Sequence, residues 1–382
     1  MTLTIICDVL GEENNGTTIA AVNLINSMRA KGHTVRVVCP DNYRRGQPDY
    51  YVADSLDLGA FLNWRLKKNG VVLMKPNKEV LDKALDGTDA VHILVPLVFS
   101  TWAAKRIHER GIPITAGFHF QAENLTSHLA LMNSHAVNKL VYRYFDRHVY
   151  RYVDRVHYPS QFICDTYETE VGHGTPHEVI SNGVNIIFAP RREEKPEEFR
   201  DRFVILFTGR YSREKSHHLL IQAADLSKHR EKIQLIFAGS GPLEQKLRRL
   251  SERLPNEPVF RFFPRAEMVR TINYSDLYVH PAEIEIEAIA CLEAISCGLV
   301  PVINDSPRSA TRAFAKSEMN LFRFNDPIDL ARKIDWWIEH PEERESCSKS
   351  YVGYAKKFGF DHCMDEMEKM IVGNAEARHE AR

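Results

Sequence analysis

Residues 277–303 read LYVHPAEIEIEAIACLEAISCGLVPVI. The run 277–280 is short, apolar and flanked by proline, which predicts a strand. Residues 288–296 carry apolar side chains at helical spacing and predict a helix, and 300–303 predict a second strand. Strand, helix and strand in so little chain make a βαβ unit, which implies a parallel sheet with covering helices. The pattern extends upstream. Residues 203–207 predict a strand, 216–226 a helix, 233–238 a strand and 243–254 a helix. A separate series opens the chain. A strand over 2–7 precedes a helical repeat of Ile19, Val22, Leu24, Ile25 and Met28, then strands over 34–39, 90–95 and 112–119 with a helix over 100–110.

Two α/β series call for two cores, and 382 residues is the length of two domains. The charged stretch APRREEKPEEFRDR, residues 189–202, has little to bury and reads as the joint. The expected organisation is an N-terminal domain over 1–187, a linker over 188–201 and a C-terminal domain over 202–353. A helix over 354–373 is expected to pack back on the N-terminal domain, and 374–382 to be a frayed polar tail. Open parallel sheets bind ligands beyond the carboxyl ends of their strands. Two facing domains are therefore expected to hold the chemistry in the cleft between them.

Composition excludes several classes. Fifty Lys plus Arg balance 51 Asp plus Glu, so the chain lacks the basic excess of a general nucleic-acid binder. No apolar run approaches the ~20 residues of a membrane span. The first residues lack the basic and apolar regions of a secretory signal. Seven scattered cysteines without a CxxC pair read as reduced thiols of a cytoplasmic protein.

Five stretches carry chemistry. In the opening stretch, Glu285 follows a strand and Glu293 stands beyond it with seven residues between, about two turns into the helix. Two such carboxylates are able to grip hydroxyls on two parts of one extended ligand. A solvated acidic edge of Glu283, Glu285 and Glu287 fits the same letters. In ILFTGRYSREKSHHLL, residues 205–220, Arg210 and Lys215 stand between a strand end and a helix start, where side-chain cations and free N–H groups favour an anion. Gly209 ends the strand. An ordinary surface loop fits equally. Gly16 precedes a helix start and leaves room for a phosphate. His119 closes a strand, where a structural histidine is the commoner outcome. Gly239 and Gly241 in FAGSGPLE give only half of a dinucleotide fingerprint, so a nicotinamide or flavin cofactor is excluded and a tight turn bordering a nucleotide remains.

Taken together, TGRYSREKS (208–216), AGSGP (238–242), SNGVN (181–185) and HPAEIEIEAIACLEAISCG (280–298) resemble the retaining, nucleotide-sugar-dependent glycosyltransferases of family 4 (group 1), which have the two-domain GT-B fold. The resemblance runs nearly end to end. It implies that Glu285 contacts the donor sugar, Glu293 holds the ribose, and Arg210 and Lys215 bind the diphosphate. It further implies that His119 lies beside the transferred sugar and that Gly16 approaches the β-phosphate. Where many relatives carry a Gly-x-Gly-like stretch this chain has Ile286, Glu287 and Ala288, and residues 303–310 lack a glycine pair. No Asp-x-Asp triplet occurs, so no metal and no cofactor beyond the donor are expected, with Arg210, Lys215 and helix N-termini neutralising the diphosphate. The implied chemistry is front-face displacement, the leaving phosphate taking the acceptor proton.

The acceptor is less legible. Residues 61–158 hold 14 Lys plus Arg and 8 Asp plus Glu, a local excess of +6. Trp64, Arg65, Lys67 and Lys68 form one cluster. Lys139, Arg143 and Arg147 share a helical face, with Val137, Leu140, Val141, Tyr144 and His148 expected as its core stripe. This surface suits anionic lipid head groups, or simply a solvated basic face. The family contains many glycolipid and cell-envelope enzymes. That makes a lipid-linked or glycan acceptor, UDP-glucose as donor and a position at the inner membrane face the expectation. A nucleotide-sugar epimerase and a silent partner subunit are the competing readings. The Glu-x7-Glu spacing and the intact Arg210, Lys215, Glu285 and Glu293 set weigh against them.

Overall fold

The computed structural model describes residues 1–10, 16–57, 59, 63, 72–127 and 133–380. It divides into two α/β units, Met1–Asn182 with Cys363–Arg382, and Gly183–His362. The first unit holds strands β1 (Thr2–Ile6), β2 (Thr34–Cys39), β3 (Tyr50–Val52), β4 (Ala90–Ile93), β5 (Ile114–Gly117), β6 (Arg155–Tyr158) and β7 (His177–Val179). They form one parallel sheet in the order β3-β2-β1-β4-β5-β6-β7. The second unit holds β8 (Phe203–Thr208), β9 (Ile233–Ala238), β10 (Val259–Arg261), β11 (Leu277–His280), β12 (Pro301–Asn304) and β13 (Leu321–Phe322), also parallel, in the order β10-β9-β8-β11-β12-β13. Both sheets wind outward from their first strand and then return to its other side. The reversals fall between β1 and β4 and between β8 and β11. There, helices diverge to opposite faces and leave a crevice at the strands' carboxyl ends.

The helix Gly16–Ala30 buries Thr18, Ala21, Leu24, Ile25 and Met28 against the first sheet, close to the spacing read from the sequence. Beyond β1, Asp8 accepts hydrogen bonds from the Phe99 and Ser100 backbone N–H groups at 2.8 and 3.2 Å. The helix Val98–Glu109 has no side-chain cap of its own at Leu97, so Asp8 caps it from the neighbouring strand. Burial pushes the Asp8 carboxyl up to about 6 against the pull of these hydrogen bonds. Phe118, just past β5, is the hub of an aromatic cluster with Tyr150, Tyr158 and Tyr167 at centroid distances of 5.0, 5.6 and 4.7 Å.

Three readings change. The helix His135–His148 buries Asn138, Tyr142 and Phe145 rather than the expected stripe. Leu140 and Tyr144, 64% and 48% exposed, lie outside it. The reason is tertiary: Tyr142 and Phe145 reach aromatic partners at Phe118 and Phe120 that the helix alone does not disclose. Residues 188–201, read as a linker, are held within the second unit. Lys195 pairs with Asp276 at 2.6 Å, the Arg191 N–H donates to Asn273 Oδ1 at 2.7 Å, and Phe188 is buried. The unit boundary falls at Asn182/Gly183 instead. Finally, the C-terminal helical pattern is split. One helix ends at Ala355 and another runs Phe360–Glu380, because the chain between them pairs with Val184 through Val184 N–H to Phe358 O at 2.7 Å and Phe360 N–H to Val184 O at 3.0 Å. The second helix extends through the expected tail, with Ala375 buried and Arg378 paired to Asp154 at 2.9 Å.

Two glycines fix how the loops after β8 and β9 cross. A Cβ on Gly239 would stand 2.1 Å from the Gly209 carbonyl oxygen, and one on Gly241 2.6 Å from that of Tyr211. Only bare backbone permits the Tyr211 N–H to Ser240 O bond of 2.9 Å. Gly353, inside the helix Pro341–Ala355, meets nothing within 4 Å. Gly239→Ala is therefore expected to cost stability at or beyond the upper end of ~1–3 kcal/mol, and Gly353→Ala to gain roughly 0.5–1 kcal/mol. Urea midpoints of the two variants check both signs.

Candidate active site

The site in the second unit grows from the reversal between β8 and β11. β8 ends at Thr208, and the chain turns through Gly209 and Arg210 to Tyr211, a fully buried side chain whose hydroxyl donates to Phe237 O at 2.7 Å. A single 3₁₀ turn, Arg213–Lys215, follows. Ser216, at φ 50°, then starts the helix His217–Leu226. From the neighbouring strand, β11 ends at His280 and the acidic loop begins. The Glu283 N–H donates to Glu214 O at 2.7 Å, which ties this loop to the 3₁₀ turn.

That tie places the Lys215 ammonium in hydrogen-bonded contact with Glu285 Oε1. His280 Nε2 stands 3.3 Å from the same oxygen. Burial alone would raise the Glu285 pKa, but the Lys215 charge beside it and the His280 imidazole hold it down at about 2. His280 is itself pushed down by burial, against the pull of Glu285. Glu293 is the opposite case. It lies in the helix Ile289–Ser296, and burial lifts its carboxyl to about 7, only partly opposed by the charge of Arg265.

The acidic residues are not a solvated edge. Glu283 pairs with Arg308, Glu285 has 14% of its side chain exposed, and Glu287 is buried. Residues 304–310 brace the loop. Asn304 Nδ2 donates to Pro281 O at 3.0 Å, the Ser306 hydroxyl to Glu283 O at 2.6 Å, and the Ala310 N–H to Glu285 O at 2.9 Å. Ala288 adopts φ 65°, a left-handed conformation that costs a residue with a Cβ about 1–2 kcal/mol. The glycine-favouring backbone is thus kept although the glycine is absent, while Ile286 is half-buried beside it. A Cβ on Gly209 would stand 3.1 Å from the Phe207 ring, and one on Gly241 2.7 Å from the Tyr211 backbone nitrogen.

The other expected site residues lie elsewhere. Gly16 begins the helix Gly16–Ala30, and among the described residues a Cβ there meets nothing within 4 Å. His119, in the first unit, folds over Gly117, where a Cβ would stand 2.6 Å from its ring. Burial and the nearby His157 and His92 keep it neutral well below the ordinary histidine range. Lys139, Arg143 and Arg147 lie on the helix His135–His148, with Arg143 and Arg147 exposed beside Leu140 and Tyr144. Trp64, Arg65, Lys67 and Lys68 lie outside the described residues. Sequence reading missed His280 and the Glu283–Arg308 pair. A histidine ending a buried strand beside an acidic loop was the available signal for the first.

Two doubly wound parallel sheets, with a cation and a carboxylate meeting at a strand-order reversal, define an α/β protein with a charged candidate site at its strand ends. The family described as Glycosyltransferase Family 4 matches residues 14–188, and that described as Glycosyl transferases group 1 matches residues 188–351. The chain belongs to these family 4, group 1 glycosyltransferases. A GDP-mannose-dependent alpha-mannosyltransferase of Mycolicibacterium smegmatis is 25% identical over 302 residues, 76% of this chain and 75% of that protein. An alpha-monoglucosyldiacylglycerol synthase of Streptococcus pneumoniae is 24% identical over 223 residues, 54% of this chain and 48% of that protein. The fold matches that of Anabaena HepE solved with UDP and glucose, at a TM-score of 0.72 and 15% identity over 98% of this chain and all of that one. These are GT-B structures, and the two sheets described above are the GT-B pair. Among the described residues, no helix is long and apolar enough to cross a membrane.

Two tests follow from the electrostatics. Lys215→Ala leaves Glu285 charged and half-satisfied, at an expected cost of ~1–3 kcal/mol, and Lys215→Ala with Glu285→Gln should lose less than the sum of the single changes. Glu285 has a folded pKa below its unfolded value of about 4.5, so its contribution is present above that pH and lost as pH falls through about 2. The stability gap between wild type and Lys215→Ala should accordingly be widest above pH 4.5 and narrow as pH falls toward 2, as read by urea unfolding followed by circular dichroism. Glu293 has the reverse sign. Its folded pKa of about 7 lies above 4.5, so its contribution is full below 4.5 and lost as pH rises through 7. Wild-type Tm should fall relative to Glu293→Gln between pH 4.5 and 7.5. Parallel pH profiles would contradict the assignment.

Proposed function

We propose that the protein transfers a hexose from a nucleotide-sugar, UDP-glucose, to a lipid-linked or cell-envelope glycan acceptor, with retention at the anomeric carbon. The observation that carries the donor half is the Lys215–Glu285 contact at the β8/β11 reversal. A cation that faces a buried carboxylate there is suited to a ligand that has a diphosphate at one end and hydroxyls at the other. Breaking the anomeric C–O bond makes an oxocarbenium-like sugar and adds negative charge to the diphosphate. Lys215, with Arg210 in the same loop, stabilises that charge as it grows. Glu285, held ionised, accepts from sugar hydroxyls and stabilises the positive sugar electrostatically. Glu293 takes the ribose hydroxyls, which donate to its carboxylate.

The leaving phosphate takes the acceptor proton as the acceptor oxygen attacks the same face. Arg210 and Lys215 do the work that a divalent cation performs on a diphosphate elsewhere, so the transfer itself is proposed to need no metal. Two features favour a lipid-linked acceptor. One is the exposed Leu140 and Tyr144 beside Arg143 and Arg147, an arrangement suited to an anionic membrane surface. The other is the similarity to an alpha-monoglucosyldiacylglycerol synthase. A GDP-mannose donor is the second reading, favoured by the mannosyltransferase match over 76% of the chain.

A donor-by-acceptor screen tests the proposal. UDP-glucose, UDP-galactose and GDP-mannose are each offered with diacylglycerol, glucosyl-diacylglycerol, a sterol and soluble sugars, in anionic vesicles and without them. The expected product is an α-glucosyl lipid, with its anomeric configuration read by NMR. Arg210→Ala should lower turnover ~10²–10³-fold, and added Mg²⁺ or Mn²⁺ should leave it unchanged. Wild-type turnover in Arg210→Ala, or an inverted product, would overturn the mechanism. Transfer from GDP-mannose alone would replace the donor.

A further inference from the structure

A second cluster of reactive side chains lies in the first unit, independent of the donor site. Cys164 and Glu168 are one turn apart on the helix Gln161–Val171, and His177 begins the adjacent edge strand β7. One ligand atom from each lies within 4.8 Å of the others. Cys164 Sγ is 3.5 Å from His177 Nε2. On the far side of the ring, Nδ1 lies 2.9 Å from the Thr175 carbonyl oxygen, so it carries the proton, and the Nε2 lone pair is aimed at the sulfur. Glu168 Oε1 lies 3.1 Å from the same Nδ1 and accepts from the Thr175 N–H at 3.3 Å. That oxygen stands beside the ring, and the carboxylate is the third donor of the cluster.

From this geometry we infer that Cys164, His177 and Glu168 form a Zn²⁺ site. Zinc bonds of about 2.3 Å to sulfur and about 2.0–2.1 Å to nitrogen, set at a tetrahedral angle, separate the two donors by roughly 3.5–3.6 Å. The sulfur–nitrogen distance has this value without rearrangement. Donation of the far ring N–H to a carbonyl or carboxylate is the support that zinc-bound histidines use. Thiolate, imidazole and carboxylate together favour Zn²⁺ over Mg²⁺ or Ca²⁺. Cys164 is buried, while 33% of the His177 side chain and 24% of that of Glu168 are exposed, which gives an ion a way in and a fourth position for water. Binding releases the thiol proton to solvent and forms one Zn–S bond without redox change. The consequence is mechanical: β7 is only three residues long and closes the sheet edge, and the ion would clip it to the helix beside it.

The test uses the full chain, stripped with a chelator and then titrated with Zn²⁺ or Co²⁺. Wild type should bind one equivalent, show a thiolate-to-cobalt charge-transfer band and gain Tm on adding Zn²⁺. Cys164→Ser should lose the band and the Tm gain, and His177→Gln should lose at least tenfold in affinity, with far-UV circular dichroism confirming that both variants fold. Absence of stoichiometric uptake by wild type overturns the site. So does a cobalt band that survives in Cys164→Ser, which would place the metal on another cysteine. Either result would leave Cys164, His177 and Glu168 as a hydrogen-bonded chain alone.

Discussion

β8 and β11 are hydrogen-bonded neighbours, Leu277 opposite Ile205 and Tyr278 opposite Leu206, although β9 and β10 come between them in the chain. That pairing is the constraint on which the candidate site depends. It delivers the end of one strand beside the end of another and sends their following helices to opposite faces of the sheet. Lys215 and Glu285, 70 residues apart, meet for that reason. The glycines at 239 and 241 serve the same end, since they let the loop after β9 press on the 209–211 backbone and hold it against the sheet.

Within this frame, two glutamates of one motif acquire opposite character. Both are desolvated. Glu285 faces Lys215 and His280 and stays ionised, whereas Glu293 has only the charge of Arg265 to oppose burial and is lifted toward neutrality. The difference lies in the partners and not in depth. It separates a group poised as a permanent negative charge from one that gains most from ligand donors. The Glu283–Arg308 pair and the bonds from residues 304–310 make the acidic loop rigid enough for that distinction to hold. Ala288, left-handed without a glycine, shows how strongly the surroundings dictate the loop backbone.

The first unit is organised by different means. Phe118 and the tyrosines around it form an aromatic core at the carboxyl end of β5, which fixes the chain on the residue before His119. The same core turns the helix His135–His148 so that Tyr142 and Phe145 point inward, and Leu140 and Tyr144 are left at the surface beside Arg143 and Arg147. A basic amphipathic face is thus a by-product of burying aromatic rings. The side that the helix buries is rotated away from the one that helical spacing selects.

Strand and helix periodicity determined two parallel α/β sheets, because patterns of period 2 and 3.6 are local properties of the chain. Glu285, Arg210 and Lys215 were legible as candidates for a related reason: strand ends in such sheets are where ligands bind, these residues follow strand ends, and the structure brings Lys215 and Glu285 into contact. What only the tertiary structure decided were the partners. Neither the His280 contact with Glu285, nor the Arg308 brace on Glu283, nor the attachment of residues 188–201 to the second unit follows from local spacing. Each joins groups tens of residues apart, or depends on a side chain whose burial the rest of the fold sets. The inward turn of Tyr142 belongs to the same class. Helical spacing offers several faces of similar hydrophobicity, and only the aromatic ring waiting at Phe118 selects between them.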